Sequence, residues 1–234
     1  MITQGMLEQL FESLIAGDRP RSRAIVDDAL ALVESPSDLI SELFWPTYEN
    51  IEKLYRNDQL SKLSHHCGTR LLRVLIDQNA SRCEIGAPVG RKVLAFCGPR
   101  DSDELGAQMA VDLLEEAGFQ VIFAGGNIPN DEVLSEIHAT RPDVLLMFAG
   151  GAADLPDLRQ LIDTLREINA CPNVQIVVGG GVFNRADGLA EEIGADLWAS
   201  HPLELVRVMS DMPAHRAPMD QRTVGRKRRR QKAA

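Results

Sequence analysis

The side chains able to do chemistry in this chain of 234 residues gather in a few places. His65 and His66 are adjacent, ten and eleven residues after Tyr55, and Pro46 stands nine residues before that tyrosine. The stretch Gly98-Pro99-Arg100-Asp101-Ser102-Asp103-Glu104-Leu105-Gly106 combines acids with small residues, and further small-residue turns occur at Gly125-Gly126-Asn127, Gly150-Gly151 and Gly179-Gly180-Gly181. None of these turns reads G-x-G-x-x-G or G-x-x-x-x-G-K-[ST], so a nicotinamide or nucleoside-triphosphate site has little support. There is no H-E-x-x-H and no nucleophile elbow, and Glu115-Glu116 reads as a solvated helix face. Nothing here assigns the chain a catalytic activity of its own. The four cysteines, Cys67, Cys83, Cys97 and Cys171, form no C-x-x-C pair, which argues for reduced thiols in a cytoplasmic protein.

The elements that must position these residues are of two kinds. Up to about Ala80, apolar residues recur at three and four positions. Leu7, Leu10, Phe11, Leu14 and Ile15 form one helix, and Ile25, Leu30, Leu32 and Val33 belong to a second. A third opens at Ser35-Pro36-Ser37 and runs through Leu39, Leu43, Ile51 and Leu54, and a fourth covers Leu60 to Ile76 with Leu63, Leu71, Leu72 and Leu75 apolar. These predict a four-helix bundle over residues 1–83 and a Gly- and Pro-containing linker at 84–91.

Five short apolar runs follow, at Lys92–Cys97, Gln120–Ala124, Asp143–Phe148, Val174–Val178 and Ala195–Ala199, each succeeded by a helix-like segment. Near-continuous apolar strands alternating with helices mean a parallel sheet covered on both faces, an α/β domain over 92–213. Ligands of such sheets bind outside the carboxyl ends of the strands, where the small-residue turns fall.

The formal charge of −9 hides an asymmetry. Seven of the 25 basic residues lie in Arg222–Lys232, and without them 18 basic residues face 34 acidic ones, a balance of −16. An acidic body repels phosphate backbones, so direct nucleic-acid binding is expected only through the basic segment. Residues 214–234 are expected to be a disordered basic tail, lacking apolar anchors. No apolar run has the length of a membrane helix.

The order of these pieces resembles the cobalamin-binding module, a four-helix cap followed by a flavodoxin-like domain, across about residues 7–210. The family's D-x-H-x-x-G corresponds to Asp101-Ser102-Asp103-Glu104-Leu105-Gly106. Its second-strand stretch corresponds to Gly118-Phe119-Gln120-Val121 with Gly125-Gly126-Asn127-Ile128-Pro129, and its turn for the nucleotide tail to Val178-Gly179-Gly180-Gly181. The resemblance implies the strand order 2-1-3-4-5. In cobalamin-dependent photoreceptors and their relatives, a Trp-x9-Glu-His pattern covers the upper face of the corrin, and Tyr55, His65 and His66 occupy its register here. Successive helix residues point about 100° apart, so at most one histidine faces the sheet domain; His66 is the choice for the upper face and the candidate metal ligand.

Two departures bear on the chemistry the resemblance implies. Asp103 holds the place of the lower cobalt-ligating histidine, and a carboxylate is a harder donor than imidazole. Phe148 holds the place of a serine that hydrogen-bonds the displaced base, which a phenyl ring cannot do. Four outcomes stay open: cobalamin with its own base on cobalt, cobalamin with no lower protein ligand, a haem, or no cofactor. Tyr55, His65, His66, Asp101, Ser102, Asp103, Gly106, Gly125, Phe148, Gly150, Gly179 and Gly180 are the expected cofactor-binding residues, in a cleft between cap and sheet. The expected role is that of a sensor or regulator acting through a protein partner, such as a transcription regulator or a methyltransferase. Alternatives are a corrinoid methyl carrier and a cofactor-free interaction protein, and a homo-oligomer is compatible with either.

Overall fold

A computed structural model describes residues 2–99, 101–169 and 171–218, which divide into two compact units, Met1–Ile85 and Gly86–Ala234. The basic run Arg222–Lys232 lies outside the described residues.

The first unit is helical. Helices α1 (Gln4–Ile15) and α2 (Arg19–Leu30) begin at Thr3 and Asp18, whose side chains accept from the amides of Met6 and Arg21. Such caps satisfy donors that the first helical turn leaves unpaired. Their contact carries a buried hydroxyl pair, Ser13 and Ser22, whose oxygens lie 2.8 Å apart and each within hydrogen-bond distance of a backbone carbonyl, Leu10 and Asp18, so that the two hydroxyl protons are shared among three contacts. Helix α3 (Trp45–Arg56) continues from a wide turn, Ile40–Phe44, in which the Trp45 amide reaches back to the Ile40 carbonyl. A proline inside a regular helix collides with the carbonyl four residues earlier, and the wide turn directly before Pro46 relieves that crowding.

Helix α4 (Lys62–Ala80) is capped by Ser61. It packs closely at Gly68, where a Cβ would lie 3.3 Å from Ile51 Cδ1 and 3.9 Å from the Leu14 backbone. The core comprises Leu10, Leu14, Leu43, Phe44, Ile51, Leu72 and Ile76 among others. Two expected members are not in it. Leu32 follows the end of α2 and is 49% exposed, and Leu63 sits in the first turn of α4 and is 75% exposed.

The second unit is a five-stranded parallel sheet in the order β2-β1-β3-β4-β5, as the sequence implied. The strands are β1 (Lys92–Cys97), β2 (Gln120–Gly126), β3 (Val144–Phe148), β4 (Gln175–Gly179) and β5 (Leu197–Ala199). One face is covered by α6 (Asn130–Thr140), α7 (Leu155–Ile168), the single turn α8 (Gly181–Asn184) and α9 (Leu189–Ile193), through Phe96, Met147, Ile162, Val178 and Phe183. The other is covered by α5 (Asp101–Glu116) and α10 (Pro202–Asp211), through Ala107, Leu114, Leu146, Val177 and Met209. With both faces sealed, small-molecule chemistry is left to the ends of the strands.

Two readings of segment ends change. From Gly86 onward the expected linker is laid against the sheet unit: the Gly86 amide donates to Glu115, and Val89 donates to Gly118. A Cβ on Gly86 would run into the Glu116 carbonyl. Glu115 is therefore half-buried rather than on a solvated face, and burial pushes its carboxyl above the ordinary carboxylate range.

Order also extends past the expected start of the tail at Ala214. Gln175, fully buried, accepts from Arg91 Nη2 at 2.8 Å and donates to the carbonyls of Met212 and His215 at 2.9 and 3.0 Å. Arg216 donates to Asn173, and the Ala217 amide donates to Asp196 Oδ1 at 2.8 Å. The strap 212–217 is thus tied to the amino ends of β4 and β5 by polar contacts, which is why apolar patterning did not reveal it. Gln175→Leu leaves the Arg91 donor and two carbonyls without this partner, so unfolding free energy should fall by about 1–3 kcal/mol. Urea denaturation checks this, and amide exchange should quicken in the strap.

Candidate functional site

At the carboxyl ends of the strands the sheet unit is built from close backbone approaches. The register of β1 and β2 slips between the pairs Ala95–Phe123 and Cys97–Gly126, leaving an extra residue on β2. Gly125 sits in this bulge at φ +74°, a conformation glycine adopts without strain, and a Cβ there would lie 3.1 Å from Glu104 Oε1. The expected loop Asp101–Gly106 is instead the first part of α5, which begins almost directly after β1.

That placement turns Asp103 inward, to 7% exposure. A Cβ on Gly98 would stand 2.6 Å from Asp103 Oδ2 and 3.1 Å from Asp154 Oδ2, so the glycine admits two carboxylates to one point at the end of β1. Asp154 also accepts from the Gly151 amide at 3.0 Å, which holds the turn after β3. Gly106 lies further along α5, half-buried, and the backbones of Asp101 and Ser102 lie in its first turn.

The ends of β3 and β4 are joined equally tightly. The Ala149 amide donates to the Gly179 carbonyl at 3.0 Å, and Gly180 takes φ +106°, where a Cβ would run into the Ala149 carbonyl. Phe148 is 7% exposed, and its ring lies against Gly179: a Cβ there would be 3.1 Å from the ring. The space beside Gly179 is therefore filled by Phe148. Gly150 is bonded from above by Arg185, whose Nη2 donates to its carbonyl at 2.8 Å, and the same guanidinium crosses Gly181. Arg185 escaped the sequence reading, since an isolated arginine after a glycine turn carries no signal.

After β5, the Glu204 carboxylate accepts from the Ser200 amide and hydroxyl, while His201 Nδ1 accepts from the Glu204 amide. The Ser200 hydroxyl, then its amide, hold the Glu204 carboxyl below the usual carboxylate range. A carboxyl depressed in the folded state contributes stability that is present above the unfolded value and lost as pH falls through the folded one. Ser200→Ala should accordingly be less stable than wild type at neutral pH, with the gap closing in acid. Thermal melts between pH 7 and pH 2 check this.

In the helical unit, Tyr55, His65 and His66 have distinct surroundings. The rings of Tyr55 and His65 stack with centroids 3.9 Å apart and planes 19° apart. His65 is 8% exposed, and its Nε2 meets Glu52 Oε1 at 2.7 Å. His66 is exposed, its ring edge-on to His65 at 6.0 Å. Sequence reading missed Glu52; its only signal was a position one helical turn before Tyr55. No group of three or more ligating side chains among the described residues could hold a metal ion by itself.

Comparison with known families decides what this arrangement belongs to. A model described as "B12 binding domain" matches residues 91–207, and a second model of the same description matches 6–78. The chain belongs to the B12-binding domain family. Its relatives include dimethylamine corrinoid protein 1 of Methanosarcina acetivorans, 23% identical over 222 residues, with 92% of this chain and all of the relative covered. Another is the HTH-type transcriptional repressor CarH of Myxococcus xanthus, 23% identical over 195 residues, covering 82% of this chain and 62% of the repressor. Among solved structures, the monomethylamine corrinoid protein of Methanosarcina barkeri shares the fold, with a TM-score of 0.69 at 19% identity over 90% of this chain and all of that one.

The cofactor of this B12-binding chain is a cobalamin rather than the haem kept open from sequence. Its residues fit one form of that group better than another. At Gly98, Gly125 and Gly180 the place of a Cβ is taken up by the chain itself, by the Asp103 and Asp154 carboxylates, by Glu104 and by the Ala149 carbonyl, so these glycines serve the close packing of the strand ends. A displaced base finds no room beside Gly179, where Phe148 fills the space, and the motif position where the resemblance implies a nitrogen ligand holds the buried Asp103 carboxylate.

Proposed function

We propose that this B12-binding chain is a cobalamin-dependent sensor or regulatory subunit that acts through a protein partner in the cytoplasm. Cobalamin supplies a cobalt centre with an exchangeable upper axial group. The chain's own contribution from the sheet unit is the carboxyl ends of its strands, with Gly98, Gly125, Gly150, Gly179 and Gly180 in the turns and Asp101, Ser102, Asp103 and Gly106 at the start of α5. Tyr55 and His66 are the residues of the helical unit that serve the cofactor. The observation that carries the reading is the buried Asp103 at the end of β1, in place of a nitrogen donor. A carrier that cycles cobalt through its oxidation states relies on a lower imidazole, whereas a sensor needs only to hold the group and change shape or surface with it.

The expected result is that purified protein incubated with hydroxocobalamin keeps a corrin spectrum through gel filtration. Electron paramagnetic resonance of the reduced Co(II) form should show splitting from the cofactor's own base or none from protein nitrogen. Splitting that changes when the protein is labelled with nitrogen-15 would overturn this account, and His66 would then be the residue to test. Asp103→His alone should leave the lower face unchanged while Phe148 fills the slot. Asp103→His with Phe148→Ser should give a histidine-ligated, base-displaced spectrum.

A second reading, a methyl carrier for a methyltransferase, is favoured by the match along the full length of the dimethylamine corrinoid protein. Ready reduction of the bound cobalt to Co(I) at the potentials of a reductive activator, followed by methyl loading, would select it.

A further inference from the structure

Glu52, His65 and Tyr55 form a closed set on two helices. Glu52 and Tyr55 lie one turn apart on α3, and His65 comes from α4. The Glu52 carboxylate meets His65 Nε2 at 2.7 Å, and the imidazole plane lies against the Tyr55 ring at 3.9 Å and 19°. A carboxylate only accepts, so Nε2 carries the proton and the imidazole cannot flip without losing its partner. With the imidazole held in one plane, the tyrosine ring stacked on it is held too. The pair is largely shielded, with side-chain exposures of 10% for His65 and 15% for Glu52. Arg56 Nη1 stands 3.9 Å from the other carboxylate oxygen, so Glu52 is tethered at both ends.

We propose that Glu52 is a positioning residue for cobalamin: through His65 it sets the plane of Tyr55 and thereby the aromatic surface that the helical unit offers to the cofactor. This rests on the reading that Tyr55 serves the cofactor. The device is an aromatic plate fixed by a charged hydrogen bond, in which an isolated tyrosine would sample several rotamers and lose ordering entropy on binding.

The test is a double-mutant cycle on full-length protein with hydroxocobalamin as the probe, read by binding titration and by the visible circular dichroism induced in the bound corrin. Glu52→Ala should weaken binding roughly tenfold and reduce the induced signal, the loss expected for one charged hydrogen bond. Glu52→Gln, which keeps an acceptor for Nε2–H, should recover most of both. In a Tyr55→Ala background, Glu52→Ala should have almost no further effect, because the residue acts through the ring. Losses that simply add, or an induced signal unchanged by Glu52→Ala, would overturn the proposal while leaving cobalamin binding intact. Failure of the wild-type protein to bind hydroxocobalamin would overturn the functional reading and this inference with it. A long-range nitrogen-15 spectrum of the protein without cofactor supplies a readout independent of binding. The Nε2–H of His65 should exchange slowly in wild type and rapidly in Glu52→Ala.

Discussion

Backbone meeting backbone at the carboxyl ends of β1, β3 and β4 is the constraint on which the rest of the sheet unit depends. Gly180 can lie over the Ala149 carbonyl, and Gly98 can admit Asp103 and Asp154, only because neither has a side chain. These approaches shorten the strand-to-helix turns, so α5 and α8 begin almost at the strand ends. Helices placed that tightly cover both faces of the sheet and leave the ends of its strands. Adding one methyl group at Gly180 would force a strained φ and a steric overlap together, and would open the turn.

The same closeness sets which side chains meet at the ends of the strands. Because α5 starts at Asp101, the third residue of the motif is turned under the end of β1, and it is an acid. Its carboxylate lies beside that of Asp154 at Gly98, in the motif position where the resemblance implies a neutral nitrogen. Phe148 fills the space at Gly179. The strand pairing of Phe148 with Gly179 is what brings the ring to that glycine.

In the helical unit, polar groups are arranged with comparable economy. Glu52 partners the His65 imidazole, on which Tyr55 stacks, and Ser13 partners Ser22, while Asn79 Oδ1 is buried without a hydrogen bond. Arg91 partners Gln175 at the opposite end of the strands from the glycine turns, where they receive the strap 212–217.

The change of hydrophobic period near residue 90, the five apolar runs and the placing of glycines at their ends were legible in the sequence, because strand burial and φ-permissive turns act on composition locally. They sufficed for the parallel sheet and its order once the motif order suggested the module. The departures at Asp103 and Phe148 were legible too, since each is a change of residue type at a recognisable position. What only the tertiary structure decided is how side chains meet. The partnership of Glu52 with His65, the filling of the Gly179 slot by Phe148, the bond from Arg185 to Gly150 and the strap on Gln175 all join segments by directional contacts. A hydrogen bond or a ring stack depends on distances of a few ångströms between elements, and no periodicity along the chain encodes those distances.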